Sequence, residues 1–469
     1  MRTAFTIALL KLLLALNGAD LYAQFAITMP VDRSVFQRVN NKATIQIGGF
    51  TDVFIEQLQI KLEVINGGIS IDWTTINTNI LPGDFRCQIP DIEAGWYQVE
   101  TRGLSNGSIV AFDEVGKVGV GEVFIIAGQS NAQGGRPPHP EFSTNVFYGA
   151  DDDRVNCINY STNNPAINYP FPSISKVQPE TDVAPKGEAS WCWALLGDKI
   201  VEEWNVPVLF FNAAVGATTM STWSQSVNSN SEPYIYLKKS LEYYAKIFGV
   251  RAILWHQGES DIFNFDVNMP QSCNDYQSNL TTIINRSRSD LGANVSWVIS
   301  KVSRLADWTS SGLIQCQESF PTIPDINAFA GPYTDFIQPG SAYRDGGVHF
   351  RGTGFIELAD VWFNSINQPN FINNSTPVAA TNNLKVVNNE YVFGNSLAPC
   401  AGLNQTIASG NWNDPSIWSC GAVPTSLNEI VINTEHTILI SEATVFIKNL
   451  VLNGSLIFEN GGNLFQVDY

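Results

Sequence analysis

Residues 122–131 read EVFIIAGQSN, an apolar run that ends in small and polar residues. The run from Val123 to Ala127 lacks polar alternation, which is typical of a strand buried on both faces of a parallel sheet. The segment Gly128-Gln129-Ser130 then indicates a corner between a strand and a helix. A serine at such a corner is a candidate nucleophile whose own N–H can also stabilise an oxyanion. Ordinary turn and helix-capping chemistry is the alternative explanation for Ser130-Asn131.

Further apolar strands alternate with helical stretches after this corner. Strands are predicted at residues 206–212, 252–256, 295–300 and 326–330, and helices at 188–204, 234–248, 275–290 and 354–364. This alternation predicts an α/β fold with three α/β/α layers around a mostly parallel sheet. Ligands of such sheets bind beyond the carboxyl ends of the strands, so the residues after each strand are the site candidates.

Different patterns flank the α/β domain, which we assign to residues 119–366. Residues 25–118 alternate short β-type runs with turns such as Asn66-Gly67, which predicts an immunoglobulin-like β-sandwich. Residues 367–404 are rich in Asn, Thr, Ser and Pro and are predicted to be a linker. Short β runs in residues 405–469 predict a β-rich module, either β-helix-like or a small sandwich.

The beginning of the chain has the pattern of a secretory signal peptide. Arg2 precedes a short apolar run from Ala4 to Leu16, and a small residue, Ala23, follows. We therefore expect residues 1–24 to be removed and the protein to be secreted or held at the cell surface. No later apolar run approaches the ~20 residues needed to cross a bilayer. The C-terminal module is interpreted as a surface-attachment or sugar-binding module, with a passive spacer as the alternative.

The charge of the chain limits its partners. Lys and Arg number 26 against 44 Asp and Glu, a formal net charge of −18. Such an acidic surface repels phosphate backbones and anionic lipids, so functions on nucleic acids or membrane surfaces are disfavoured.

The cysteines do not suggest a metal site. There are seven, and no two have the CxxC spacing of a zinc site. An oxidising compartment permits disulfides, and Cys400 with Cys420 is the pair we would test first. The odd count leaves at least one thiol free or intermolecular.

The ends of the next two predicted strands carry further candidates. Gly216 follows the second strand, where glycine either lets a backbone N–H approach a ligand or serves a tight turn. The third strand ends within the stretch WHQGESD at residues 255–261. Burying so many polar groups after an apolar strand costs free energy unless they line a site. Gln257 could donate to an oxyanion, and Glu259 and Asp261 could anchor the catalytic base. His256 lies on the strand itself and is better explained as a core histidine.

A serine nucleophile requires an imidazole base, and the chain has only four histidines. His436 lies in the C-terminal module and His139 between prolines. His349 lies in the Gly-rich segment RDGGVHF (344–350) before a predicted helix, with Asp345 close by. It is the best candidate base, and a surface histidine is the alternative.

The four motifs together resemble the SGNH esterase superfamily, and most of all its sialate O-acetylesterase and acetylxylan esterase branch, a carbohydrate esterase family 6-like group. The resemblance covers roughly residues 118–364 and implies a flavodoxin-like sheet. It implies that Ser130 is the nucleophile and His349 the base. It also implies that the N–H groups of Ser130 and Gly216 and the side chain of Gln257 hold the oxyanion.

The acidic member of the triad departs from the family pattern. The family places it three residues before the histidine, where this chain has Gly346. Asp345 is our prediction, because the two intervening glycines can absorb a shift of one residue. Glu259 is the alternative that could orient His349, and Asp335 is a weaker one.

The resemblance implies a serine esterase that removes O-acetyl groups from carbohydrate and needs neither a metal nor another cofactor. Arg344 and Trp223 are candidate substrate-binding residues, as is Arg304, whereas Trp191 and Trp193 are favoured as core. Because the protein is acidic, a neutral acetylated polysaccharide of the xylan type is favoured over an acetylated sialic acid. The alternatives are a lipid esterase and a non-catalytic adhesin with a decayed esterase domain.

Overall fold

The computed structural model describes residues 25–466 except 138, 140–141, 143–145, 161–170, 230, 265–269, 338–339, 341, 382–401, 420–422, 425–427, 442–443, 448 and 460–461. The predicted Cys400–Cys420 disulfide, the signal peptide and most of the linker lie outside these residues. No helix among the described residues is long and apolar enough to cross a membrane.

Among the described residues, strands dominate both ends of the chain, and the α-helices lie between residues 130 and 374. The strands are β1 (Phe25–Met29), β2 (Ser34–Gln37), β3 (Lys42–Thr51), β4 (Ile55–Gly67), β5 (Ile71–Ile80), β6 (Gly83–Glu93), β7 (Gly95–Ser105), β8 (Ser108–Gly128), β9 (Val155–Ile158), β10 (Ile174–Lys176), β11 (Val208–Asn212), β12 (Ala252–His256), β13 (Ser296–Lys301), β14 (Ala328–Tyr333), β15 (Arg344–Asp345), β16 (His349–Phe350), β17 (Gly402–Gln405), β18 (Gly410–Asn411), β19 (Asn428–Ile432), β20 (Thr437–Ser441), β21 (Thr444–Ile447), β22 (Asn449–Leu452), β23 (Ser455–Glu459) and β24 (Asn463–Gln466). The helices are α1 (Ser130–Gln133), α2 (Trp193–Trp204), α3 (Met220–Ser226), α4 (Tyr234–Lys239), α5 (Ala245–Phe248), α6 (Pro270–Leu291), α7 (Ser311–Ser319), α8 (Thr353–Ile366) and α9 (Pro369–Asn374).

The central sheet has the order β10-β9-β11-β8-β12-β13-β14. All neighbours in it are parallel except β9 and β10, which are antiparallel. This parallel sheet with helices confirms the predicted α/β fold class.

Alternate side chains of β8 point into two separate apolar cores, as the pleat of a strand requires. Phe124 and Ile126 pack in the core that contains residues of α2 and α8. Val123, Ile125 and Ala127 lie in the other core, which contains residues of α6. Because both faces are covered, the strand is apolar without alternation, and only its carboxyl end reaches a surface.

One predicted helix begins later than expected. The sequence predicted a helix from Glu188, but α2 begins at Trp193. The backbone at Ala189 and Trp191 has φ of 59° and 48°, which a right-handed helix cannot include. Glu188 instead forms a parallel bridge with Gly134, next to the corner that follows β8. This long-range pairing and the left-handed backbone keep residues 188–192 out of the helix, which explains why α2 is shorter than predicted.

The N-terminal strands form two sheets, β1-β3-β6 and β5-β4-β7-β8, with β2 beside β8. Residues of both sheets share an apolar core, for example Ile47 with Ile60 and Val99. β8 belongs to the second sheet and also to the parallel sheet. The predicted boundary between residues 118 and 119 therefore falls inside a single strand.

The stretch predicted as linker from residue 367 is packed at its beginning. Phe371 is buried in the core that contains α8, and Val378 and Val250 exchange backbone hydrogen bonds of 2.9 Å. Further along, three sets of parallel strands pair as β17-β19-β22, β18-β20-β23 and β21-β24. Successive segments stack in parallel there, as the coils of a β-helix do.

A disulfide that the sequence analysis did not predict joins Cys273 of α6 to Cys316 of α7, with their Cα atoms 5.6 Å apart. Cys87, Cys157 and Cys192 are free thiols. The 43-residue separation and the helical positions gave no signal for this pair in the sequence.

Gly128, the last residue of β8, lies too close to the neighbouring strand for any side chain to fit. Its φ is +131°, and a Cβ there would lie 2.0 Å from the carbonyl oxygen of His256. We expect Gly128→Ala to lower the free energy of unfolding by more than about 3 kcal/mol, because backbone would have to move. Gly292→Ala is the matched control: φ is +78°, but nothing lies within 4 Å. It should cost only the strain of left-handed backbone, about 1–2 kcal/mol. Equal losses in urea denaturation would contradict this account.

Candidate active site

Ser130 and His349 meet at the carboxyl end of β8. Ser130 begins the one-turn helix α1, and His349 begins β16, which pairs with β15 in a short antiparallel ribbon. The Nε2 atom of His349 lies 2.9 Å from Oγ of Ser130. This distance allows the imidazole to accept the hydroxyl proton. The ring of Phe142 packs edge-on against the imidazole, with centroids 5.2 Å apart.

The buried amide of Asn131 connects the nucleophile segment to the histidine loop. Its Nδ2 donates to the carbonyl of Val348 at 3.1 Å, and its Oδ1 accepts the N–H of Phe350 at 3.1 Å. These are the residues on either side of His349. A single side chain next to Ser130 therefore fixes the backbone that carries the base. Sequence reasoning assigned Asn131 only turn chemistry.

Glu259 lies beneath this connection and contacts both Asn131 and His256. Its Oε1 accepts from Nδ2 of Asn131 at 2.7 Å and lies 3.2 Å from Nε2 of His256. Burial alone would raise the pKa of Glu259, but the charge of His256 and the hydrogen bonds from His256 and Asn131 outweigh it and lower the pKa. Glu259 is therefore a buried carboxylate that holds the Asn131 amide. His256 is fully buried, as expected of a core histidine.

The structure places Asp345 opposite His349 in the β15–β16 ribbon. Side chains of directly opposed residues leave the same face of a ribbon. The Asp345 carboxylate lies 3.8 Å from Nη1 of Arg351. Asp335 is buried and accepts the N–H groups of Ser303 and Arg304, both at 2.9 Å, so it supports the loop after β13. The identity of the orienting acid stays a prediction.

The expected oxyanion donor Gln257 does not face the site. It is fully buried, and its Nε2 contacts the Asp261 carboxylate, with the carbonyl of Thr218 at 3.3 Å. Asp261 in turn accepts the N–H of Met220 at 2.9 Å. The prediction for Gln257 is therefore wrong for this conformation, because the amide is committed to tying the turn after β12 to α3.

Gly216 lies beside Ser130, but its N–H already has a partner. A Cβ at Gly216 would be 3.5 Å from Cβ of Ser130, so the two residues are adjacent. The Gly216 N–H donates to Oε1 of Gln133 at 2.6 Å. The Nε2 of Gln133 lies 3.3 Å from both the Lys186 carbonyl and the Glu188 carboxylate. The amide oxygen of Gln133 thus occupies the N–H that the sequence predicted as an oxyanion donor.

Two predicted substrate-binding residues lie in the interior. Arg344 is 1% exposed and donates to the carbonyls of Ile337, Val348 and Thr334, which uses its guanidinium to hold the histidine loop. Trp223 is fully buried, and its indole N–H donates to Thr218 at 2.9 Å. Neither side chain can contact a substrate here, which corrects both predictions. Trp191 and Trp193 are core residues.

A cavity of about 700 Å³ opens above Ser130 and His349. Its lining is Gln129, Ser130, Gln133, Gly134, His139, Phe142, Glu188, Gly216, Ala217, Thr219, Glu259, Ser260, Leu305, Val348 and His349. Among these described residues there is no lysine or arginine. Burial, with the nearby Asp182 charge, raises the pKa of Glu188 above its usual value.

Sequence reasoning missed the contributions of Gln133, Glu188 and Leu305 to this cavity. A signal existed for Gln133, because it lies three residues after Ser130 and residues at that spacing share a helix face. Glu188 was assigned to a helix that begins later.

No group of three or more His, Cys, Asp or Glu side chains that could hold a metal occurs among the described residues.

The contact between Gln133 and Gly216 allows a test of whether the Gly216 N–H stabilises an oxyanion. We expect Gln133→Glu to lower kcat/KM on p-nitrophenyl acetate by about a hundredfold or more, since a carboxylate would bind the Gly216 N–H and repel the oxyanion. Gln133→Ala frees that N–H and should keep or raise kcat/KM. Equal losses in the two variants would show that the amide itself is needed.

The acidic partner of His349 can be tested by two substitutions. We expect Asp345→Ala to lower kcat by roughly a hundredfold or more, because an imidazole without its orienting acid is a poor base. Arg351→Ala controls for loss of the Asp345–Arg351 ion pair. If Glu259→Ala lowers kcat and Asp345→Ala does not, the assignment of Asp345 is wrong.

Comparison with known protein families finds a match over the α/β domain. The model of the family described as "Carbohydrate esterase, sialic acid-specific acetylesterase" matches residues 120–360. A search of curated proteins finds no matching sequence.

Solved structures with a similar chain path have low sequence identity. A carbohydrate acetylesterase from Xanthomonas citri is 17% identical, with 73% of this chain and 74% of that chain covered and a TM-score of 0.46. An acetyl xylan esterase from Geobacillus stearothermophilus is 10% identical, with 53% and 95% covered and a TM-score of 0.31. A protein from Arabidopsis thaliana is 16% identical, with 54% and 99% covered and a TM-score of 0.38.

The family match spans just over half of the chain, including the segments of Ser130, Gly216 and His349. It confirms the resemblance found in the sequence. The chain belongs to the carbohydrate esterase, sialic acid-specific acetylesterase family, and the protein is an ester hydrolase of the carbohydrate acetylesterase type.

Proposed function

We propose that this protein is a secreted serine esterase that removes O-acetyl groups from a neutral polysaccharide of the xylan type through an acetyl-serine intermediate. The observation that carries the proposal is the 2.9 Å contact between Oγ of Ser130 and Nε2 of His349 at the floor of an open cavity. A hydroxyl and an imidazole in this arrangement are the minimum for nucleophilic acyl transfer.

The reaction begins when Ser130 attacks the carbonyl carbon of an acetyl ester. His349 accepts the hydroxyl proton as the new C–O bond forms, and a tetrahedral oxyanion results. The protonated imidazole then gives its proton to the sugar oxygen as the ester bond breaks, so the sugar leaves as an alcohol. Water, deprotonated by His349, hydrolyses the acetyl-serine to acetate and free Ser130.

The oxyanion is stabilised by the backbone N–H groups of Ser130 and Gly216. The substrate oxygen takes the place of the Gln133 amide oxygen on the Gly216 N–H. Removal of one such donor typically costs about 3 kcal/mol of transition-state stabilisation. Gln257 does not contribute in this arrangement, since its amide is bound to Asp261.

The charges at the cavity favour a neutral sugar. Its described lining holds the acidic Glu188 and Glu259 and no lysine or arginine. A sialoside carries a carboxylate that would need a cationic partner. Arg344 is buried, and the guanidinium of Arg304 already donates to the carbonyls of Asp335 and Ala306.

The site of action that we propose is outside the cytoplasm. The pattern of residues 1–24 supports it, and so does the Cys273–Cys316 disulfide, because disulfides persist in oxidising compartments. The C-terminal parallel coils are proposed to attach the enzyme to a cell surface or to polysaccharide.

The proposal is tested by acetate release from a panel of acetylated xylan, other acetylated neutral polysaccharides and O-acetylated sialosides. We expect release from the neutral polysaccharides and a preference for p-nitrophenyl acetate over the octanoate, because the site is proposed to hold a two-carbon acyl group. Ser130→Ala should abolish release.

Release from sialosides alone would contradict the substrate class. Preference for the octanoate would indicate a lipid esterase. No release from any ester by the wild type would favour a non-catalytic carbohydrate-binding protein.

A further inference from the structure

Trp308 is exposed, unlike the other tryptophans. All twelve tryptophans of the chain lie among the described residues, and nine of them are buried while Trp73 and Trp204 are partly buried. Trp308 is 67% exposed. Burying an indole would remove a large apolar surface from water, so the exposure of Trp308 forgoes a substantial gain in stability.

The loop that carries Trp308 also lines the active-site cavity. Leu305 and Trp308 exchange two backbone hydrogen bonds of 3.0 Å, N–H to carbonyl in each direction. Opposed residues in such a pair have Cα atoms about 5.5 Å apart. Leu305 lines the cavity together with Ser130 and His349. The backbone of Trp308 is therefore the direct hydrogen-bonded neighbour of a residue that lines the cavity.

The loop is held in place before any substrate binds. Asp335 accepts the Ser303 hydroxyl at 2.5 Å and the N–H of Arg304 at 2.9 Å, and the Ser303 hydroxyl accepts the N–H of Ser310 at 2.8 Å. The guanidinium of Arg304 donates to the carbonyl of Ala306 at 3.2 Å. Because the loop is fixed at both ends, little conformational entropy is lost when a ligand binds to Trp308.

Trp308 is not a solitary exposed apolar side chain of the kind that needs no explanation. Tyr333 at the end of β14 and Phe336 in the adjacent loop that follows are 42% and 46% exposed, with rings 6.2 Å apart. Asp335 lies between them and ties the two loops together. Six phenylalanine, tyrosine or tryptophan side chains are exposed among the described residues, and three of them lie in the Trp308 loop or at the end of β14 and the loop that follows it. The six are Phe54, Phe112, Trp308, Tyr333, Phe336 and Phe458.

We propose that Trp308 is a stacking platform for a sugar ring of the glycan that carries the acetyl group, next to the ring being deacetylated. The flat face of an indole matches the C–H face of a pyranose. The occupant is a neutral glycan, because the cavity that continues from this platform is lined by carboxylates and by no described lysine or arginine. This inference rests on the proposed function, which it extends to a substrate of at least two sugar units.

The proposal is tested first by kinetics. We measure kcat/KM on acetylated xylo-oligosaccharides and on p-nitrophenyl acetate, which has no sugar. The ratio of the two values should fall about tenfold in Trp308→Ala through a higher KM on the oligosaccharide, and Trp308→Tyr should restore most of it. Phe112→Ala, on the N-terminal sheet, is the matched control and should leave the ratio unchanged.

An unchanged ratio in Trp308→Ala would overturn the proposal, because the indole would then make no contact that a sugar-free ester lacks. A loss that arises in kcat with KM unchanged would also overturn it and indicate a role in shaping the catalytic site.

Binding separates this inference from the proposed function. Titration calorimetry of Ser130→Ala and of Ser130→Ala/Trp308→Ala with the same oligosaccharides should give a Kd about tenfold weaker in the double variant. If the wild type releases no acetate but binding still depends on Trp308, the proposed reaction fails and the platform stands. If acetate is released and binding does not depend on Trp308, the platform fails and the reaction stands.

Discussion

The structure of the site depends on one buried amide. Asn131 binds the carbonyl before His349 and the N–H after it, so two segments 219 residues apart in the sequence are held in register. The amide is itself fixed by Glu259, which is fixed by His256 at the end of β12. An unsatisfied buried amide or carboxylate costs about 1–3 kcal/mol or more, so each member of this chain favours the arrangement of the others. The distance between Ser130 and His349 follows from it.

Much of the fold could be predicted because parallel strands buried on both faces are apolar runs of definite length. The strand at 252–256 has the predicted bounds, and those at 208–212 and 296–301 differ by one or two residues. The exceptions have physical reasons. Residues 188–192 could satisfy a helical pattern, but long-range pairing of Glu188 with Gly134 holds them in another conformation. The length of β8, which serves two sheets, depends on contacts between modules that local pattern does not contain.

The meeting of Ser130, Gly216 and His349 could be anticipated, since each follows a strand or precedes a helix at one edge of the sheet. The directions in which the polar side chains around them point could not be predicted. Gln257 and Arg344 are polar residues in the right segments, yet their side chains satisfy buried acceptors instead of facing the cavity. Which way a polar side chain points depends on the acceptors that the folded chain brings to it. Gln257 meets the carbonyl of Thr218, which is 39 residues away, and Arg344 meets carbonyls of the folded loop around it. The spacing of Gln133 from Ser130 places it near the site, but its partner, the Gly216 N–H, is known only from the structure.

The central claim is that the contact with His349 makes Ser130 a nucleophile. The most direct measurement is mass spectrometry of the intact protein and its peptides after reaction with a fluorophosphonate probe, for the wild type and for His349→Ala. The account predicts one adduct, on Ser130, in the wild type and none in the variant over the same time. Labelling of another residue, or equal labelling of Ser130 in both proteins, would contradict it.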